Sequence, residues 1–155
     1  MYFINNRQLI NRLAIDTGTE SQAVYTDLCC ATERVLNFDF DTEDFSIFCD
    51  ALKRHVTTGA DVQISTTIKV DAENAGVLAV LGNIHQLIKD GTITQFVNKK
   101  IQFGLLSGYS NSTLEYTNYN ANANITLENA GGSAEDVSEI AITFALNGTA
   151  TVASI

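Results

Sequence analysis

Apolar and polar residues alternate with a period of two along much of this chain. Over 62–70, Val62, Ile64, Thr66, Ile68 and Val70 fall on one side and Gln63, Ser65, Thr67 and Lys69 on the other, the mark of a strand that buries one face. Near the end, Ile125 and Leu127 alternate with Thr126 and Glu128, and Ile140, Ile142 and Phe144 with Ala141, Thr143 and Ala145. A Gly-rich acidic loop separates these two strands, and a short last strand is expected after Asn147-Gly148.

Residues 23–40 are rich in Val, Tyr, Thr, Leu and Phe, and Val35-Leu-Asn-Phe-Asp-Phe40 alternates almost strictly, so strand pairing is expected there too. Asp41-Thr-Glu-Asp44 then reads as a polar break, and Thr57-Thr-Gly-Ala-Asp61 as a turn. The segment 45–56 fits either a strand or a helix, because Phe45, Phe48, Cys49 and Leu52 also follow helical spacing. Strands are expected at 93–97 and 100–106 around an Asn98-Lys99 turn, followed by a polar loop over 108–113 and renewed β composition over 114–127. Residues 1–16 alternate imperfectly and are expected to form an N-terminal strand or arm.

Only one segment carries a strong helical period. Val77, Leu78, Leu81, Ile84, Leu87 and Ile88 make one apolar stripe, Asp71 stands where an N-cap belongs, Lys89 lies in the last turn and Gly91 is placed to terminate. Gly76 and Gly82 each cost about 1 kcal/mol in a helix interior, a cost that makes sense if they allow close approach to a sheet. Strands, one helix, then more strands is an order without the βαβ alternation of a parallel sheet. The expectation is therefore a mainly β fold, an antiparallel sandwich or partly closed barrel with one flanking α-helix at about 72–90, forming a single domain over 1–155.

Composition supports that reading. A chain of 155 residues with 45% hydrophobic content can bury one core, and the absence of proline leaves turns to Gly, Asn and Asp with no Pro-rich linker to divide it. Only 17% of residues are charged, a proportion more typical of β-rich structural proteins than of enzymes. The net charge of -9 excludes ordinary binding to the outside of nucleic acid, which needs Lys and Arg patches. An acidic wall could still let nucleic acid slide past without adhering. No stretch approaches the roughly 18 apolar residues of a membrane span, and the opening residues lack the basic-then-apolar order of a secretory signal, so no membrane partner is expected and the mature chain is expected to begin at Met1.

Catalytic and metal signatures fail. There is no GxGxxG, Walker loop, GxSxG or HExxH, and the histidines, His55 and His85, read as solvated or interface residues. Cys29, Cys30 and Cys49 have no Cys-x-x-Cys spacing and read as small buried hydrophobes. No enzyme activity, cofactor or metal is expected. Asp39-Phe-Asp-Thr-Glu-Asp44 crowds four carboxylates into six residues. A solvated acidic turn is its plainer reading; a Ca²⁺ loop would need the missing EF-hand glycine, and a pore wall would need the chain to form a ring. The Tyr and Asn content of 109–122 would equally suit a binding surface or an ordinary surface loop.

The ending 124–152, with its strand, Gly/Ala loop, second strand and closing Gly-Thr-Ala-Thr strand, resembles the C-terminal signature of bacteriophage tail tube (major tail) proteins. The resemblance extends to Thr26-Asp-Leu-Cys-Cys-Ala-Thr32, to the alternating 35–40 segment before an acidic stretch, and to the mid-chain strand leading into a helix. One departure is plain: Ala51-Leu-Lys-Arg-His-Val56 stands where a Gly-rich turn would follow the acidic segment. The resemblance implies a virion structural protein that self-assembles into hexameric rings, stacked as a tail tube that conducts DNA into the host. It implies tape measure and terminator proteins as partners, assembly in the host cytoplasm, and residence in the phage tail. Asp39, Asp41, Glu43, Asp44 and Asp50 are the candidate lumen-facing acids. Alternatives are a tail completion or terminator protein, the tube of an injection machine, or a monomeric β-barrel that binds a small ligand.

Overall fold

A computed structural model describes residues 1–19, 21–46 and 52–153. The chain runs α1 (Asn6–Leu9), β1 (Ile10–Asp16), β2 (Tyr25–Asp27), β3 (Ala31–Phe45), β4 (Arg54–Lys69), α2 (Ala75–Asp90), a 3₁₀ turn (Thr94–Phe96), β5 (Lys99–Ser110), β6 (Thr113–Gly131) and β7 (Glu139–Val152). All seven strands form one open antiparallel sheet in the order β2-β1-β5-β6-β7-β4-β3. The mainly β fold with one substantial flanking helix is as the pattern predicts.

The sheet curls until its two edges face each other. Leu28 still donates its N–H to Leu13 at the β2 edge (2.9 Å), while the carbonyl of Cys30 already accepts from Lys69 at the β3 edge (2.9 Å). The chain thus crosses from one edge to the other within two residues. Arg34 of β3 adds a second tie, its Nη1 donating to the carbonyl of Ile10 in β1 at 3.0 Å. Closure comes from the covalent chain and one guanidinium, without a continuous ladder.

Alternation decides what lies inside the curl. Ile140, Ile142 and Phe144 are buried together, as are Ile64 and Ile68, and Leu13, Ile15, Ile101, Phe103 and Ile125 complete the same cluster. Thr66 shares that inner face, and its hydroxyl is satisfied by donating to the carbonyl of Glu33 at 2.7 Å. Helix α2 covers the core through Val77 and Val80, with Leu81, Ile84 and Leu87 packed beside them. Leu78 and Ile88 of the expected stripe stay largely exposed, so the buried face is rotated toward Val80.

Several local expectations are corrected. The helix begins at Ala75, three residues later than 72, because Asp71 accepts from the N–H of Glu73 in a local turn (2.9 Å) and Asn74 is the residue that caps, accepting from Val77 (3.0 Å). Gly76 does permit close approach, since a Cβ there would lie 2.9 Å from the carbonyl oxygen of Asp27, whereas Gly82 meets nothing within 4 Å. Residues 93–97 contain a 3₁₀ turn in place of a strand. The expected loop over 108–113 is a tight hairpin turn between β5 and β6, made by Asn111 and Ser112 at φ 49° and 61°. Residues 1–16 hold a one-turn helix before β1. The last strand is continuous with β7, with irregular pairing around Gly148.

Truncating the most enclosed aromatic tests this packing. Phe144→Ala is expected to lower unfolding stability by about 3–5 kcal/mol, read from chemical denaturation of the monomer; a loss under about 1 kcal/mol would mean that the curl is not closed around this side chain.

Candidate functional site: a two-stranded ribbon

The β4–β7 ladder covers only part of β4. The two strands pair from Lys69↔Glu139 to Gln63↔Ala145 and then separate, β7 staying with β6 while β4 continues with β3. Beyond Gln63 the β3–β4 hairpin leaves the sheet as a ribbon of 38–45 against 54–62. Its β3 edge is an outer edge of the sheet, and its β4 edge has lost its partner. Among the described residues no third strand pairs with the β3 edge or with the β4 edge over 56–62.

The ribbon has two unlike faces. Strand alternation places Asp39, Asp41 and Glu43 on one face, and the register sets Asp61 directly across from Asp39. An extra residue, Thr58, bulges from β4 between the pairs Asp41↔Gly59 and Thr42↔Thr57. The other face continues the core side of the sheet but lies outside the core: Phe38 and Phe40 stack with centroids 6.5 Å apart and are 60% and 59% exposed. Asp44 alternates onto this second face, where its carboxylate is hydrogen-bonded to His55 Nδ1 directly across the ladder.

Of the acids singled out from sequence, Asp39, Asp41 and Glu43 share a face, Asp44 is engaged on the opposite one, and Asp50 lies outside the described residues. The Asp41–Asp44 stretch is strand, correcting the expected break. Asp61 was missed because Thr57–Asp61 reads as a turn; its signal is visible only once β4 is paired with β3.

Among the described residues no cluster of three or more His, Cys, Asp or Glu could hold a metal ion, and no helix is long and apolar enough to cross a membrane. Cys30 has its pKa raised by desolvation and then by the hydrogen bond and charge of Asp71 (Sγ to Oδ2, 3.6 Å), which disfavours the thiolate. The tyrosines are dispersed: Tyr119 packs against Phe103 at 5.5 Å, Tyr116 donates to the carbonyl of Gln8 at 2.7 Å, and Tyr109 stacks on Tyr2 at 5.1 Å. Tyr2 and Tyr109 line one surface pocket with Ile4, Leu106 and Leu114, and Tyr116 and Tyr119 lie outside it.

No family model matches the sequence, and no curated protein matches it. Solved structures match over nearly the whole chain. A protein from the tail of an empty gene transfer agent particle with C6 symmetry aligns at 11% identity over 98% of this chain and 100% of its own, with a TM-score of 0.59. The SPP1 tail tube aligns at 15% identity over 91% of this chain and 74% of its own, TM-score 0.59. This chain has the tail-tube fold. The tube-terminating cap of the anti-feeding prophage shares it, at 17% identity over 99% of this chain and 93% of its own, TM-score 0.55, so the fold spans tubes and caps alike.

Within this tail-tube fold the acidic face is electrostatically unfavourable to the lone chain, because like charges directly opposite in a ladder repel. Asp61→Lys is expected to slow amide exchange over 38–45 by about twofold at low salt, with the gain fading at high salt. Equal protection in both proteins would show that Asp39 and Asp61 do not feel one another.

Proposed function

We propose that this chain is a tail-tube subunit, a structural protein without enzymatic activity whose copies close into a ring through the β3–β4 ribbon and stack into a conduit. The observation that carries this reading is a ribbon with two open edges, one acidic face and one apolar face. A two-stranded hairpin is marginal alone in water, and unpaired edges are met most simply by the same edges of other copies. Because β3 and β4 run antiparallel, copies related by rotation bring β3 of one beside β4 of the next in antiparallel register. That contact joins unlike surfaces, so it closes if the rotation closes. The C6 symmetry of the gene transfer agent tail supports six copies per ring.

Closing the ribbons into a barrel gives each face an environment. The apolar side bearing Phe38 and Phe40 turns into the protein wall, and Asp39, Asp41, Glu43 and Asp61 line the lumen. At physiological salt charge acts over about 8 Å, so an acidic wall keeps DNA from adhering without opposing its passage along the axis. DNA is present only in transit to the host. Tape measure and terminator proteins are the other partners, and the subunit resides in the virion tail after assembly in the host cytoplasm. A second reading, a cap or terminator, is favoured by the likeness to the anti-feeding prophage cap, and differs in giving single rings.

Negative-stain electron microscopy beside light scattering over a range of concentrations decides between these. Hollow tubes are expected; rings that never stack would favour the cap, and a monomer of 16.8 kDa at every concentration would overturn both. In a phage carrying this subunit, replacing Asp39, Asp41 and Glu43 together by Lys is expected to leave folding and tube formation intact while hindering DNA ejection. Undiminished infectivity would remove the lumen assignment.

A further inference from the structure

The groove between α1 and the first half of β3 meets the ribbon only at Phe38. Arg7 and Leu9 line it on one side, and Glu33, Arg34, Val35 and Phe38 on the other. Two guanidiniums and one carboxylate therefore border a largely apolar trough. Arg34 is only half satisfied: Nη1 donates to the carbonyl of Ile10, while Nε is buried without a hydrogen-bond partner. Desolvation by burial lowers its pKa, opposed in part by the neighbouring Cys29 and Asp27. Arg7 makes no ion pair among the described residues. A carboxylate brought into the groove would be recognised by guanidinium geometry as well as by charge.

The chain itself carries an excess of carboxylates, with a net charge of -9, and several of them are already engaged. Asp16 accepts from the N–H groups of Gly18 and Val24, Asp27 pairs with Arg12, Asp44 is hydrogen-bonded to His55, and Asp71 accepts from Glu73 and Cys30. The ribbon acids sit on a flat strand face that cannot enter a groove. Glu135 and Asp136 differ. They lie on the exposed loop 132–138 between β6 and β7, make no ion pair among the described residues, and precede Val137, which is 56% exposed. Two acids followed by an apolar residue complement two bases beside an apolar floor.

We propose that the α1–β3 groove receives the β6–β7 loop of a second copy of this chain, Glu135 and Asp136 meeting Arg7 and Arg34 while Val137 rests against Leu9 and Phe38. The contact pairs two different surfaces and therefore repeats from copy to copy. Its place in a tube rests on the function proposed above; its existence does not.

Charge exchange tests it in the full chain. Arg7→Glu alone, and Glu135→Lys with Asp136→Lys, are each expected to raise the concentration at which assemblies sediment by about tenfold, and all three changes together to restore most of the loss. Unchanged assembly in either parent variant, or no restoration in the combination, overturns the proposal. A synthetic peptide of residues 131–138 provides a readout that needs no assembly. Titrated into the whole protein, it is expected to shift the NMR amide signals of 6–9 and 31–38, and to do so far less in the Arg7→Glu protein. Absence of those shifts overturns the contact even if tubes form; their presence in a protein that never forms rings or tubes upholds the contact and overturns the tube reading.

Discussion

The β4–β7 ladder is the pairing on which the molecule turns. Its seven residue pairs, from Lys69↔Glu139 to Gln63↔Ala145, join the β3–β4 hairpin to the rest of the sheet and set which side chains face inward. A slip of one residue would turn Ile64, Ile68, Ile142 and Phe144 outward together, so the buried face and the register enforce one another. The ladder stops partway along a strand of sixteen residues. Everything distinctive about the ribbon follows from that early stop: two open edges, an apolar face carried past the end of the core, and an acidic face with nothing above it.

Such a ribbon is poorly defended as a free surface. Edge strands of soluble proteins are commonly blunted by proline or by lysines, yet proline is absent from the chain and β3 contains Arg34 as its one basic residue. Asp39 and Asp61 face each other across the ladder, where opposite charges would stabilise it better. Stacked Phe38 and Phe40 stand in water. Each feature disfavours the isolated chain, and the proposed ring would relieve all three, neighbours pairing the edges, protein covering the phenylalanines and the carboxylates facing an aqueous channel.

Sequence periodicity revealed the inner face of β4 and of β7 because those positions are apolar on one side and polar on the other, with few exceptions. It also placed α2, whose end at Gly91 is fixed by a local αL geometry. It did not reveal that β3 continues through Asp41–Asp44, since a run of acids in a solvated strand is compositionally the same as a turn. Asp61 was hidden for the same reason, and a facing pair of carboxylates is a property of register, which one strand's sequence cannot carry. The helix start was misplaced because Asp71 and Asn74 are both competent caps, and the choice depends on the turn that Asp71 makes with Glu73. The hairpin at Asn111-Ser112 passed for a loop because polar residues flank it on both sides.

Identities of 11% to 17% with a retained fold are intelligible if the constraints are these few. An alternating inner face tolerates exchange among Ile, Leu, Val and Phe when volume is kept, and backbone hydrogen bonding is indifferent to side chains. What must persist is the length of each strand relative to its partner, because that decides where the sheet ends and which edges stay open. Surfaces at the two ends and around the rim are under no such requirement. Tubes and caps can therefore share one architecture while differing in the loops and grooves that meet the next copy, and it is at those loops and grooves that one member of the fold is set apart from another.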